Sequence, residues 1–369
     1  MQIDSININS NGAISLAAIK ADLDSITVNP KGSVSDWDTD VTNIRAAITG
    51  AENIRLGAGN FYLNTTDSEI FNLTTAKKII GSGMGQTYFI LKDGISTSTD
   101  VFKITSSTEV RDLEISGITF QAQTTGSARC RHIVNIVPNA GGRLVFSRFR
   151  NMVFPAAGDI NGSDIYHYNS VGGYRFGNSQ IDHNYFLNGI SLTGAADDIN
   201  VGPLNHFGGN NIGCKLVSMI AGAAQFYFFQ NSAQVSNIVF WGNGLGVRVF
   251  RNNLEKVVGG AGEIVVYLNG GPYDGGLYDY RACVIENNIT APAGSLAHGL
   301  MVVGEKNTAI ERNYLGGDTG NGYADLYIDT SCANIRVSRN NQFSANSVWD
   351  GGVKMKVYGL AAGETGLFA

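Results

Sequence analysis

Three carboxylates in the last third of the chain, Glu263, Asp325 and Asp329, stand among tyrosines in segments that read as short β-strands. Aligning the inward apolar residues Ile264, Val266 and Leu268 with Leu300 and Val302, then with Leu326 and Ile328, gives three outward rows. The first row is Glu263, Gly299, Asp325; the second Val265, Met301, Tyr327; the third Tyr267, Val303, Asp329. Side chains alternate faces along a strand, so the three rows share one surface. Strands two rungs apart in a stack are separated by about 9.6 Å. Cleavage of a glycosidic bond uses two carboxyl groups, about 5–5.5 Å apart for retention and about 6.5–9.5 Å for inversion. Glu263, Asp325 and Asp329 are therefore the expected catalytic residues, with Gly299 leaving an open notch between the first two. Tyr267 and Tyr327 would contact the sugar.

The segment 270–281, GGPYDGGLYDYR, offers further substrate contacts in Tyr273, Asp274, Tyr278, Asp279 and Arg281. Aromatic rings cover sugar C–H faces, and charged groups bond hydroxyls. A Gly-rich loop packed on its own tyrosines is the competing reading. Residues 164–182 hold Tyr166, His167, Tyr168, Tyr174, Arg175 and Asp182, a set suited to proton abstraction beside a uronate. His132, His183 and His206 read as structural or surface histidines. No nucleophile elbow, P-loop, dinucleotide fingerprint or zinc motif is present, so no cofactor and no metal are expected.

These residues need a frame that stacks distant segments. One motif recurs: an apolar residue, two variable residues and Asn, with an apolar residue soon after. It occurs at Ile181–Asn184, Phe250–Asn253, Ile285–Asn288, Ile310–Asn313 and Val337–Asn340. A loose period of about 20–40 residues built from strand-like units is the mark of a solenoid. Each coil cannot bury its apolar side alone, and stacking supplies a continuous core. The repeated Asn is expected at the same bend of every coil, in a left-handed conformation and bonded to the next Asn. The expected architecture is an all-β, single-stranded right-handed parallel β-helix over 36–345. A polar arm, an attachment segment or an extra cap strand over 1–35 precedes it, and a closing segment over 346–369 follows. Val41, Ile44 and Ile48 lie at helical spacing in DTDVTNIRAAI, so a short capping helix starting at Asp38, Thr39 or Asp40 should cover the open end.

Composition agrees. Forty-seven glycines, six prolines and only 15% charged residues suit strands joined by tight bends. A net charge of −5 without Lys/Arg clusters argues against nucleic acid. The four cysteines, Cys130, Cys214, Cys283 and Cys332, are far apart and read as free thiols. No apolar run reaches membrane-spanning length, and the first twenty residues lack the regions of a standard signal peptide.

Residues 38–63, DTDVTNIRAAITGAENIRLGAGNFYL, resemble the opening of the pectate-lyase-like β-helix superfamily: an Asp-Thr pair, a capping helix, a strand, a Gly turn and a G-x-Y-x-L-like strand. KIIGSGMGQT, residues 78–87, is similar to the next coil of that family. Within it, viral tailspike proteins fit best. The resemblance covers most of 38–345 and implies the fold, a homotrimer, attachment to a virion tail or baseplate through the N-terminus, and a bacterial surface polysaccharide as partner. It implies depolymerisation, with glycoside hydrolysis favoured over a lyase reaction. The alternatives are a non-catalytic receptor-binding or structural spike, and a free-standing polysaccharide lyase or hydrolase. Asp197-Asp198 and His298-Gly299 echo polygalacturonase motifs but lie about a hundred residues apart.

Overall fold

The computed structural model describes residues 25–126, 129–169, 175–194, 196–209, 211–218, 225–243, 246–258, 263–270, 282–333, 335–338, 340–344, 348–350 and 356–358. Its strands pair in parallel with the strands one coil before and after, and form three faces. The first sheet has 15 strands, the third has 11, and the second is split into groups of three and seven. The chain visits first, second and third sheet in turn, as in Phe176–Asp182, Tyr185–Phe186 and Ile190–Gly194, then begins again at Ala196–Val201. This is a right-handed parallel β-helix.

Apolar residues at alternate positions point inward and stack by type. Phe120, Phe154, Phe186 and Phe207 form one column behind the second sheet, with ring centroids 5.7, 4.8 and 4.9 Å apart and planes within 17° of parallel. All four are essentially inaccessible to solvent. The ring spacing follows the rung spacing, because identical residues at one position of successive coils have no other way to pack.

The corner between first and second sheets is built by buried asparagines. Asn184, Asn205, Asn231, Asn252, Asn287, Asn313 and Asn341 form a ladder in which each Nδ2 donates to the next Oδ1, at 2.9–3.2 Å. The step from Asn231 to Asn252 is made through the backbone N–H instead, at 2.9 Å. Each Nδ2 also donates to a main-chain carbonyl of the coil below, such as Asn252 to Phe228 O at 2.9 Å. The stacked bonding matches expectation; the conformation does not. The left-handed residue is the one before the ladder Asn: His183, Leu204, Gln230, Arg251, Glu286 and Arg312 have φ of 51–60°. The Asn side chain must turn inward to reach its neighbours, so the strained position falls on the preceding, solvent-facing residue. The frame also shifts: the ladder takes Asn252, Asn287 and Asn341 rather than Asn253, Asn288 and Asn340.

Helix α1 (Asp38–Gly50) buries Val41, Ile44 and Ala47 against the first coil, with Ile48 only half-buried. Its first turn is capped from outside: the Asp36 carboxylate accepts from the N–H groups of Asp38 and Thr39, both at 3.3 Å. Asp40 is instead wholly buried and accepts from Lys31, Gly32 and Tyr62 N–H at 2.8–3.0 Å. Ahead of the helix, Ser25–Val28 adds a strand to the first sheet, pairing in parallel with Asn53–Leu56. At the far end Val348–Asp350 extends the third sheet and Lys356–Tyr358 the first.

Candidate functional site

The third sheet carries the expected site, with a different register. Val266, Leu300 and Leu326 are partners, as are Tyr267, Met301 and Tyr327, and Leu268, Val302 and Ile328. Tyr267 therefore joins Met301 and Tyr327 in one outward column, two residues along from the row in which sequence placed it. Glu263 drops out of the row of Gly299 and Asp325. Inward apolar alternation is equally well satisfied by shifts of two, so apolar pattern alone could not choose between them.

Asp325 does not face solvent at all. It is 0% exposed, and its Oδ1 accepts from Gly317 N–H and Ser344 Oγ, both at 2.7 Å. It holds the turn between second and third sheets, as Asp164 does in an earlier coil. Asp164 takes the N–H groups of Leu187, Asn188 and Gly189 at 2.8–3.0 Å. Gly299 opens no notch: a Cβ there would lie 2.7 Å from Asp325 O and 2.9 Å from Gly316 O. Glycine is required because the sheets close on each other.

Glu263 is exposed, just before the strand Ile264–Asn269, and its carbonyl accepts from His298 N–H at 2.8 Å. Asp329 follows Leu326–Ile328 on the opposite border of the face. It accepts from Ser331 N–H at 2.9 Å, and its bonds to Ser331 hold the carboxyl below its ordinary range. The face separates the two by roughly 20 Å along the strands at 3.3 Å per residue. That exceeds the span of about 9.5 Å at which two carboxyl groups work on one glycosidic bond. The expected pair, Glu263 with Asp325, is not formed either, because Asp325 is buried and Glu263 has left its row. Tyr273, Asp274, Tyr278, Asp279 and Arg281 lie outside the described residues.

The tyrosines do assemble. The column on the outer face runs, in register, Tyr166, Ser191, Lys215, Trp241, Tyr267, Met301, Tyr327. Trp241 and Tyr267 rings are 5.5 Å apart, and the Lys215 ammonium lies 4.4 Å from the centre of the Trp241 ring. His298 adds its ring 5.1 Å from Tyr327 and 5.2 Å from Tyr323. Ala324 N–H donates to His298 Nδ1 at 2.9 Å. Burial lowers the imidazole pKa, so the neutral ring carries its proton on Nε2. Burial raises the Tyr267 phenol, and the nearby Asp329 charge adds to this. At the other end of the column His132 stacks on Tyr166 at 4.1 Å. Sequence reading missed Lys215, Trp241 and Tyr323, and met His298 only as half of the polygalacturonase echo; the outward alternation in CKLVS and FWGN was the available signal for the first two.

The set at 164–182 disperses. Asp164 and His167 are buried, His167 Nδ1 lying 2.7 Å from Ile136 O, while Asp182 belongs to the first sheet. Asp197-Asp198 and His298-Gly299 likewise sit on different sheets. Cys130, Cys214 and Cys332 are buried and Cys283 half-buried, all free thiols. Among the described residues no group of three or more His, Cys, Asp or Glu could hold a metal ion, and no helix is long and apolar enough to cross a membrane.

Neither a protein-family model nor a curated protein sequence matches the chain. Among solved structures it is similar to a mutant tailspike protein of E. coli bacteriophage HK620 in complex with a pentasaccharide. Identity is 13% and TM-score 0.52, covering 91% of this chain and 69% of that one. A double mutant of the same tailspike aligns at 14% identity and TM-score 0.50, with coverages of 91% and 69%. The endo-xylogalacturonan hydrolase of Aspergillus tubingensis aligns at 11% identity over 92% of this chain and 100% of its own, with a TM-score of 0.40. By fold, the chain is a right-handed parallel β-helix similar to a phage tailspike.

Proposed function

We propose that the protein is a tailspike-like β-helix that binds a bacterial surface polysaccharide laid along the outer face of its third sheet. One observation carries the reading: the register-matched column Ser191, Lys215, Trp241, Tyr267, Met301, Tyr327 offers one contact group per coil. A polymer parallel to the helix axis meets the same kind of surface every ~4.8 Å. Rings supply apolar area for sugar C–H groups, and the phenols, hydroxyl and ammonium bond to sugar oxygens. A tailspike of similar fold has been solved with a pentasaccharide, which supports a glycan as partner. The same reading makes the protein a homotrimer on a virion tail, attached through residues 1–35. Light scattering at the mass of three chains is the expected result.

Trp241→Ala and Tyr267→Ala should each weaken polysaccharide binding about tenfold or more, about 1.4 kcal/mol, in calorimetric titration. Wild-type affinity in both variants would sink the reading.

Depolymerisation is the second reading, and one observation favours it. Glu263 is exposed at the border of the wall, beside His298 with its Nε2 proton, a carboxylate and an N–H donor within one neighbourhood. Reducing ends released by the wild type and lost in Glu263→Gln would support it. No release from any polysaccharide the protein binds leaves a pure receptor-binding protein.

A further inference from the structure

Beside the aromatic column, at the border of second and third sheets, lies a groove of about 390 Å³ lined by Asn161, Ser163, Asn211, Asn237 and Lys215 among others. Its chemistry differs from the wall it adjoins. Asn237 Oδ1 accepts Ile238 N–H at 2.8 Å, which leaves its Nδ2 as a donor with no partner among the described residues. Asn161 and Asn211 are exposed, with no side-chain hydrogen bond among the described residues. Lys215 is the one charged group in the groove, and among the described residues no carboxylate pairs with it. Lys103, on an earlier strand of this sheet, and Arg131, just before the next, are by contrast paired with Glu69 and Asp100. Trp241 holds the Lys215 ammonium in place at 4.4 Å from its ring centre, so less side-chain freedom is lost when a ligand arrives.

We propose that this groove takes the carboxylate of an acidic sugar, so that the polysaccharide read by the wall carries uronic or related acids. The inference rests on the binding reading given above. A single fixed ammonium flanked by neutral amide donors matches one negative charge. A sulfate ester or phosphodiester carries the same single charge, and the carboxyl-reduced partner in the test separates a carboxylate from both. Lys215 belongs to both surfaces: its ammonium lies over Trp241 in the column, and its side chain lines the groove.

The test is calorimetric titration of the full-length protein with uronate-containing bacterial capsular polysaccharides, each paired with its carboxyl-reduced form, at low and high salt. The expected result is at least tenfold tighter binding of an acidic polymer than of its reduced partner, with the gap closing at high salt. Lys215→Met, which keeps the apolar stem, should weaken binding of the acidic polymer at least tenfold more than binding of its reduced partner, so that the preference is lost. Equal binding of both forms, no binding of any acidic polymer, or a preference that survives Lys215→Met would overturn the proposal. Tyr267→Ala and Tyr327→Ala report separately on the wall: they should weaken both forms together. If they do so while the acidic preference is absent, the wall stands and the groove assignment falls. If they change nothing, the wall itself falls.

Discussion

At the residue scale the fold depends on buried polar side chains whose every bond is spoken for. Asn252 accepts from Asn231 N–H and donates to Phe228 O and Asn287 Oδ1, each at 2.9 Å. Removing the amide strands a buried carbonyl and a buried N–H, each costing about 1–3 kcal/mol. Asn252→Ala should therefore lower unfolding free energy by about 2–4 kcal/mol, read as a shift of the denaturant midpoint at unchanged slope. Asp325 works the same way. Asp325→Ala should cost about 3 kcal/mol of stability through the lost turn bonds. In the folded protein its polysaccharide affinity should match the wild type, because the carboxylate does not reach the surface. An affinity loss larger than that of Trp241→Ala would return Asp325 to the site.

At the scale of elements, the open end of the solenoid is closed by α1, and Asp40 is the pin. Its carboxylate gathers three N–H groups from two separate segments, and Gly32 is packed so closely that a Cβ would fall 2.5 Å from Asp40 Oδ2. Asp40→Ala frees three buried or half-buried donors and should cost about 3 kcal/mol or more. Hydrogen exchange should then show the loss concentrated in α1 and the first coil, with the ladder coils keeping their protection, because solenoid stability is passed between neighbours only. Uniform loss along the chain would show that the coils unfold as one cooperative unit instead.

At the scale of the whole molecule, pH reports on groups buried by stacking. Glu305 is 0% exposed and, among the described residues, bonded by the Thr308 side chain alone, and burial pushes its pKa from 4.5 up to about 8. The folded state then holds more protons than the unfolded state between these values, so stability falls as pH rises from 4.5 towards 8. Asp164 acts in the same direction between 3.8 and about 7: burial raises it more than its N–H donors lower it. His132 acts oppositely. Burial lowers its pKa from 6.5 to about 4, so stability falls as pH drops through that window. Thermal midpoints should peak in mildly acidic solution, and Glu305→Gln should flatten the decline on the alkaline side. A variant with the wild-type pH profile would show that Glu305 is not buried as a neutral acid.

What the sequence by itself determined is the frame. Period-two apolar alternation, recurrent asparagines and plentiful glycine admit few structures other than stacked coils, since each coil must find apolar partners above and below. Those signals are local and repeat along the chain, so they survive in one dimension. The site was legible only in part. The outward tyrosines Tyr267 and Tyr327 could be read from strand alternation, and they do share a column. Which outward residues stand side by side was decided by register between coils of unequal length, and a shift of two residues leaves the inward pattern unchanged. That shift placed Tyr267 beside Met301, put Glu263 and Asp329 on opposite borders, and let the closing of two sheets bury Asp325. Burial, corner geometry and neighbourhood between coils are properties of the packed solid, which only the tertiary structure could decide.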